Sequence, residues 1–180
     1  MTRIMKPEEP GPVKLLVGLL YTDPDLFERA HEQLAERFCK IDYKSPQFSF
    51  DISDYYKEEM GWPIFRKFVS FDQLINPGDL AKIKIATNEI ETHLAKDGKR
   101  TVNLDAGYMD FNKVILASAK FDAQKIYLDL GIYADPTLWY EKGVFKAYPH
   151  AFPDFKSGAY DATFLHIRSL YKSQRSKNAA

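Results

Sequence analysis

The stretch Val13 to Tyr21, VKLLVGLLY, is apolar or aromatic at every position except Lys14 and Gly18. It does not alternate, and its length and branched residues suit a strand rather than a helix. A strand with no polar face must be covered on both sides, so it belongs in the middle of a sheet.

The residues around it set the remaining elements. Asp23 and Pro24 supply an N-cap and a first helical position. Leu26, Phe27, Ala30, Leu34 and Phe38 then share one stripe, which predicts an amphipathic helix from Pro24 to Phe38. Lys40 to Phe50 reads as a strand broken at Ser45-Pro46, hence bulged or at an edge. Ser53 can cap a short helix that Gly61 ends and Pro63 blocks, with Tyr56 and Met60 packing inward. Pro63 to Phe71 alternates, with Phe65, Val69 and Phe71 on one face and Ile64, Arg66 and Phe68 on the other. A second helix starts at NPGD, packs Leu80, Ile83, Thr87, Ile90 and Leu94, and stops at Asp97-Gly98. From Arg100 the period changes to two. TVNLDAGY, KVILASAK and KIYLDLGIY read as three successive strands, with KFDAQK as the turn between the last two. A hairpin around Lys142-Gly143, an irregular crossing at PHAFPDFKSG and a helix from Ala159 to Tyr171 complete the chain.

The order is β-α-β-β-α-β, then a β-meander, then α. Its first six elements match the split βαβ, ferredoxin-like arrangement, whose first strand is central. The predicted fold is α+β: an antiparallel sheet extended by the meander and covered in part by the last helix. One domain spans 13–173, between tails at 1–12 and 174–180.

Composition narrows the function classes. Lys+Arg and Asp+Glu both number 25, giving zero formal net charge. Non-specific nucleic-acid binding draws on a surplus of cations, so no nucleic-acid partner is expected. The single cysteine, Cys39, excludes an intramolecular disulfide. No apolar run reaches the roughly 18 to 20 residues that cross a bilayer. The N-terminus has no signal-type apolar region, so the expectation is a cytoplasmic protein without membrane contact.

The sequence lacks a P-loop, G-x-G-x-x-G, G-x-S-x-G and H-E-x-x-H. The first strand-to-helix turn offers Asp23, Asp25 and Glu28 where a phosphate would need amides. The histidines are scattered, which argues against zinc. His150, in the irregular crossing, is the one with a functional reading beside the structural one.

Three polar constellations remain. The first is SDYYKEEMG, with Asp54, Tyr55, Glu58 and Glu59. Last-turn glutamates oppose the helix dipole, and Asp54 and Glu58 are like-charged i,i+4 neighbours, so a nearby cation is expected. Lys57, Arg66, a lysine elsewhere or a divalent metal would serve; oxygen-only ligation would suit Mg²⁺ or Mn²⁺. No motif requires a cofactor. The second is Asn103 and Asp105 on one face of VNLDAGY, followed by Gly107 and Tyr108. Asn and Asp are poor strand formers. A solvated face and a site both account for them. The third is cationic: Arg66, Lys120 and Lys125, with Lys84, Asn88 and Glu91 beside the helical seam as surface pairs or site residues.

PVKLLVGLLY, DYYKEEMG, IKIATNEIE, VNLDAGY and GIYADPTL together resemble a prokaryotic domain-of-unknown-function family, over nearly the whole chain. Some members carry an automatically assigned GTP-binding label, and the resemblance implies no catalytic residues. This chain departs from the family pattern at Ala106, where proline is usual, and at PHAFPDF, which is usually richer in Trp and Thr. It has QKIYL where HRIYL is usual, so no essential histidine is expected there. With neither a P-loop nor N-K-x-D, the GTP label gains nothing from these residues.

Two functional readings follow. In the first, a small polar or phosphorylated ligand such as a nucleotide or metabolite is bound, with or without turnover. Asp54, Glu58, Glu59 and Asp105 would hold a cation or act as acid and base. Arg66, Lys120 and Lys125 would hold the anion, and Tyr55 and Tyr108 would stack or hydrogen-bond. In the second, Tyr133, Trp139, Tyr140, Phe152 and Phe155 form a surface for a protein partner.

Overall fold

The computed structural model describes residues 6–178 apart from 53 and 123, and the side chain of residue 178 is also left aside. The proposed Ser53 cap lies outside the described residues. β1 (Val13–Tyr21) is buried at all nine positions. Its neighbours are β4 (Phe65–Ile75) and β5 (Val102–Met109), both antiparallel to it. With β2 (Ile41–Lys44) beyond β4, the order β2-β4-β1-β5 is that of the split βαβ arrangement. β3 (Phe48–Ser49) also pairs with β4. β6 (Lys113–Ser118), β8 (Ile132–Glu141) and β7 (Ile126–Asp129) extend the sheet past β5, and β9 (Val144–Ala147) pairs with β8.

Alternation along the central strands makes two cores. Leu15, Val17, Leu19 and Tyr21 face α1 (Pro24–Arg37) and α3 (Leu80–Leu94) together with Val69, Phe71, Leu104 and Ala106. Leu16, Phe68 and Met109 face the other way, onto α4 (Pro153–Lys156) and α5 (Asp161–Asn178) through Phe155, Tyr160, Phe164 and Ile167. The protein is therefore α+β with a helical layer on each face of the sheet. Asp23 caps α1 by accepting from the Asp25 amide, and Asn76 accepts from the Gly78 amide at the turn that leads into α3.

Three expectations are corrected. Asp97-Gly98 does not end α3, which stops at Leu94; both residues have positive φ and form a tight turn bridged by Lys96 and Lys99. KIYLDLGIY is not one strand. Leu130 and Gly131 both take positive φ and turn it into the β7–β8 hairpin, and β6 pairs with β8 rather than β7. The C-terminal segment from 174 is helical through Asn178, with Gln174 donating to the Asp72 carbonyl and Arg175 to that of Pro12.

Candidate functional site

β5 and β6 pair only at Gly107–Met109 with Val114–Leu116, then diverge. A Cβ at Gly107 would lie 2.5 Å from the Ile115 carbonyl oxygen, so this close crossing requires glycine. The divergence leaves the edge of β5 without a neighbouring strand at Leu104, and α3 fills in for it. The Leu104 amide donates to Glu91 at 2.6 Å, and its carbonyl accepts from Lys84 at 2.7 Å. Lys84 and Glu91 are thus ladder substitutes rather than surface pairs, and Lys84 is buried.

The gap is a cleft of about 500 Å³ between β5, the end of β6 and α3, closed further by Phe50, Tyr56 and Phe155. Its floor is a continuous chain of polar contacts. Arg100 donates to Glu59 at 2.8 Å and to the Asn103 oxygen at 2.7 Å. The Asn103 amide donates to Asp105 at 2.8 Å, and Arg66 Nη1 donates to the other Asp105 oxygen at 3.0 Å. Arg66 Nε lies 3.3 Å from Asp154, which also accepts from the Tyr160 hydroxyl at 3.1 Å. Gly18 makes room for Arg66: a Cβ there would sit 2.9 Å from its Nη1. The Arg66 side chain is only 4% exposed, and Phe50, Phe68 and Phe155 surround its guanidinium. Two carboxylates raise its pKa against the opposing effect of burial. Among the described residues its Nε has no partner in hydrogen-bonding geometry.

The rim is different. Lys120 donates to the Tyr55 hydroxyl at 2.5 Å and lies over its ring, which lowers the phenol's pKa. Among the described residues Lys120 makes no salt bridge. Lys125 donates to Ser118 Oγ at 3.1 Å and stands 4.0 Å from Asp135. Burial raises the pKa of Asp135, and His150 Nε2 stands 3.4 Å from its Oδ1. Burial likewise raises Glu91.

The cleft thus brings together Tyr55, Arg66, Asn103, Asp105, Lys120 and Lys125 of the sequence-derived candidates. Glu59 stands behind them, paired with Arg100, which lowers its pKa by hydrogen bonding. Asp54, Glu58 and Tyr108 do not line it. Asp54 pairs with Lys57, and Glu58 is exposed. Tyr108 is an odd number of residues from Asp105 and so packs on the opposite sheet face, near Ile115 and Ile132. The helix carrying the acids is α2 (Lys57–Met60), a single turn preceded by a 3₁₀ turn at Asp54–Tyr56, so Glu58 and Glu59 have no separate last turn to occupy. Protein cations answer two of these acids: Lys57 meets Asp54 and Arg100 meets Glu59. Among the described residues no group of three or more His, Cys, Asp or Glu is arranged to hold a metal ion.

Sequence reasoning missed Arg100, Asp135 and Asp154. Arg100 falls in a turn-rich segment, where a cation carries no pattern. Asp135 had a signal, a lone acid followed by proline within an apolar strand.

A family model described as Domain of unknown function (DUF4416) matches residues 11–171. No curated protein and no solved structure matches the chain. The match takes in both sheet faces and every residue of the cleft, and the chain belongs to this family.

Proposed function

We propose that the cleft between β5 and β6 binds a small polar ligand bearing an anionic group, of the class of a nucleotide or a phosphorylated metabolite. The observation that carries this reading is the contrast between floor and rim. On the floor, Arg66 and Arg100 are committed to Asp105, Asp154, Glu59 and Glu91. On the rim, Lys120 donates to a phenol and makes no salt bridge among the described residues, and Lys125 faces Ser118 and a carboxylate 4.0 Å away. The anion therefore falls to Lys120 and Lys125 rather than to Arg66, whose charge is taken up by Asp105 and Asp154. Asp105, fixed by Asn103 and Arg66 yet 27% exposed, is left to accept hydrogen bonds from ligand hydroxyls or amines. A volume of about 500 Å³ suits a ligand of that size.

A thermal-shift screen over nucleotides, GTP included, and sugar phosphates, with and without Mg²⁺, tests this. A true ligand at about 100 times its Kd adds about 2.7 kcal/mol, or about 5–10 °C in Tm. Replacing both Lys120 and Lys125 by Met should weaken the hit by tenfold or more. If no compound shifts Tm and Asp105→Asn changes nothing, the reading fails.

The protein-partner reading loses its original surface. Phe155 is buried, Trp139 and Tyr140 are half-buried, and only Phe152 of that aromatic set is largely exposed.

A further inference from the structure

The β7–β8 hairpin carries a second feature that the cleft does not use. All four β7 residues are exposed, and Ile126, Tyr127, Leu128 and Leu130 show 61%, 58%, 38% and 54% of their surfaces. Phe121, at 75%, joins Tyr127 through the ring of Tyr133 between them. β7 pairs only with β8, so its outer backbone edge is unpaired among the described residues. Ile126–Leu130 contains neither the lysine nor the proline that commonly guard such an edge; Asp129 and the irregularity at Leu128 limit its length without closing it.

We propose that this arm is a homodimer contact, in which β7 pairs antiparallel with β7 of a second copy across a twofold axis. The area fits a second copy. Taking about 150–250 Å² for each large side chain, the five residues expose on the order of 500 Å². Were all of it covered, a twofold contact would bury about 1,000 Å², the lower limit for a specific interface and the size of weak, transient ones. A single partner patch of 500 Å² would need equal apolar area from elsewhere, whereas an isologous contact supplies it by symmetry. Charge does not oppose it: with the axis through Tyr127, Ile126 of each copy faces Leu128 of the other and Asp129 does not meet a second aspartate, while Lys125 stays turned into the cleft toward Ser118 and Asp135. A bulge at Leu128 confines the pairing to these few residues, so the dimer is of micromolar rather than nanomolar strength.

Sedimentation velocity on the full chain from about 1 to 100 µM should show a concentration-dependent shift from one chain to two. Tyr127→Asp should raise the dissociation constant tenfold or more while leaving circular dichroism unchanged and removing any concentration dependence of Tm. In a Cys39→Ala background, Tyr127→Cys should oxidise to a linked dimer, and Val144→Cys, exposed on β9 off the axis, should not. A chain that stays monomeric at the highest concentration overturns the proposal, even if the arm captures a different protein. So does a dimer indifferent to Tyr127→Asp, or one linked equally well through Val144→Cys.

Discussion

Glu91 shows how burial sets the behaviour of one residue in the cleft. It accepts from the Leu104 amide and lies between Lys84 at 4.0 Å and Arg100 at 3.7 Å. Burial still outweighs both cations, so its folded pKa is raised. A carboxyl with a raised folded pKa takes up its proton more readily when folded. Its contribution to stability is complete below the ordinary glutamate value, about 4.3, and is lost as pH rises through the raised one. Glu91→Gln keeps an acceptor for Leu104 and removes the titration. The stability of the native chain relative to Glu91→Gln should therefore fall as pH rises from about 4 upward, as read by urea unfolding at a series of pH values. A difference that grows with pH would mean that Lys84 and Arg100 dominate instead. Legibility at this scale was uneven. Strand alternation alone joined Asn103 to Asp105. The same rule separates Tyr108 from them, and grouping it with its near neighbours in sequence overlooked that. Arg100 could not be found, because its role depends on Glu59, forty-one positions away.

Among the elements, the decisive relation is the short pairing of β5 with β6. Gly107 sits where the strands cross before they part, with the Ile115 carbonyl and the Leu116 side chain against it. In Gly107→Ala the methyl would meet the Ile115 oxygen at 2.5 Å and Leu116 Cδ2 at 2.7 Å. A side chain can rotate away, but a carbonyl in a ladder cannot, so the strands must separate. We expect a loss of about 1–3 kcal/mol, the usual cost of overpacking, in urea unfolding. Gly18→Ala makes a useful contrast: its contacts are the Arg66 guanidinium end and the Phe68 ring, both side chains, so backbone pairing can survive it. The split itself was not legible from sequence. VNLDAGY alternates and KVILASAK carries an unbroken apolar run at Val114 to Ala117, and nothing in either says that only three residues of each pair. The β7–β8 turn was hidden for a related reason. Leu130 holds φ at 54°, a conformation that leucine composition argues against, so the run read as continuous.

On the scale of the whole molecule, the nine-residue run that opened the sequence reading did its work: β1 is central, and helical layers cover both faces of the sheet. The four-strand core order followed from helix and strand periodicity, although the second strand, Lys40 to Phe50, is interrupted at Ser45-Pro46. What joins the second layer to the first is less evident in the sequence. α5 buries Phe164, Ile167 and Tyr171 against the sheet, then continues beyond the last apolar residue. In that polar extension Gln174 donates to the Asp72 carbonyl at 2.7 Å, while Arg175 donates to the Pro12 carbonyl at 3.2 Å and to the Tyr171 hydroxyl at 3.0 Å. The segment KSQRSKNAA has no hydrophobic period and reads as a frayed end, yet its side chains hold the entry to β1 and the end of β4 against one helix. Removal of residues 172–180 should therefore cost about 1–3 kcal/mol in urea unfolding, the scale of a few partly buried hydrogen bonds. Hydrogen exchange should speed up selectively at Val13 and Asp72, whose surroundings lose their tether. Ligand affinity in the cleft should not change, since among the described residues no hydrogen bond, salt bridge or ring contact joins a cleft residue to the deleted turns. If the truncated chain matches the intact one in both stability and exchange, the extension is a solvated helical end and the N-terminal segment is held by Tyr171 alone.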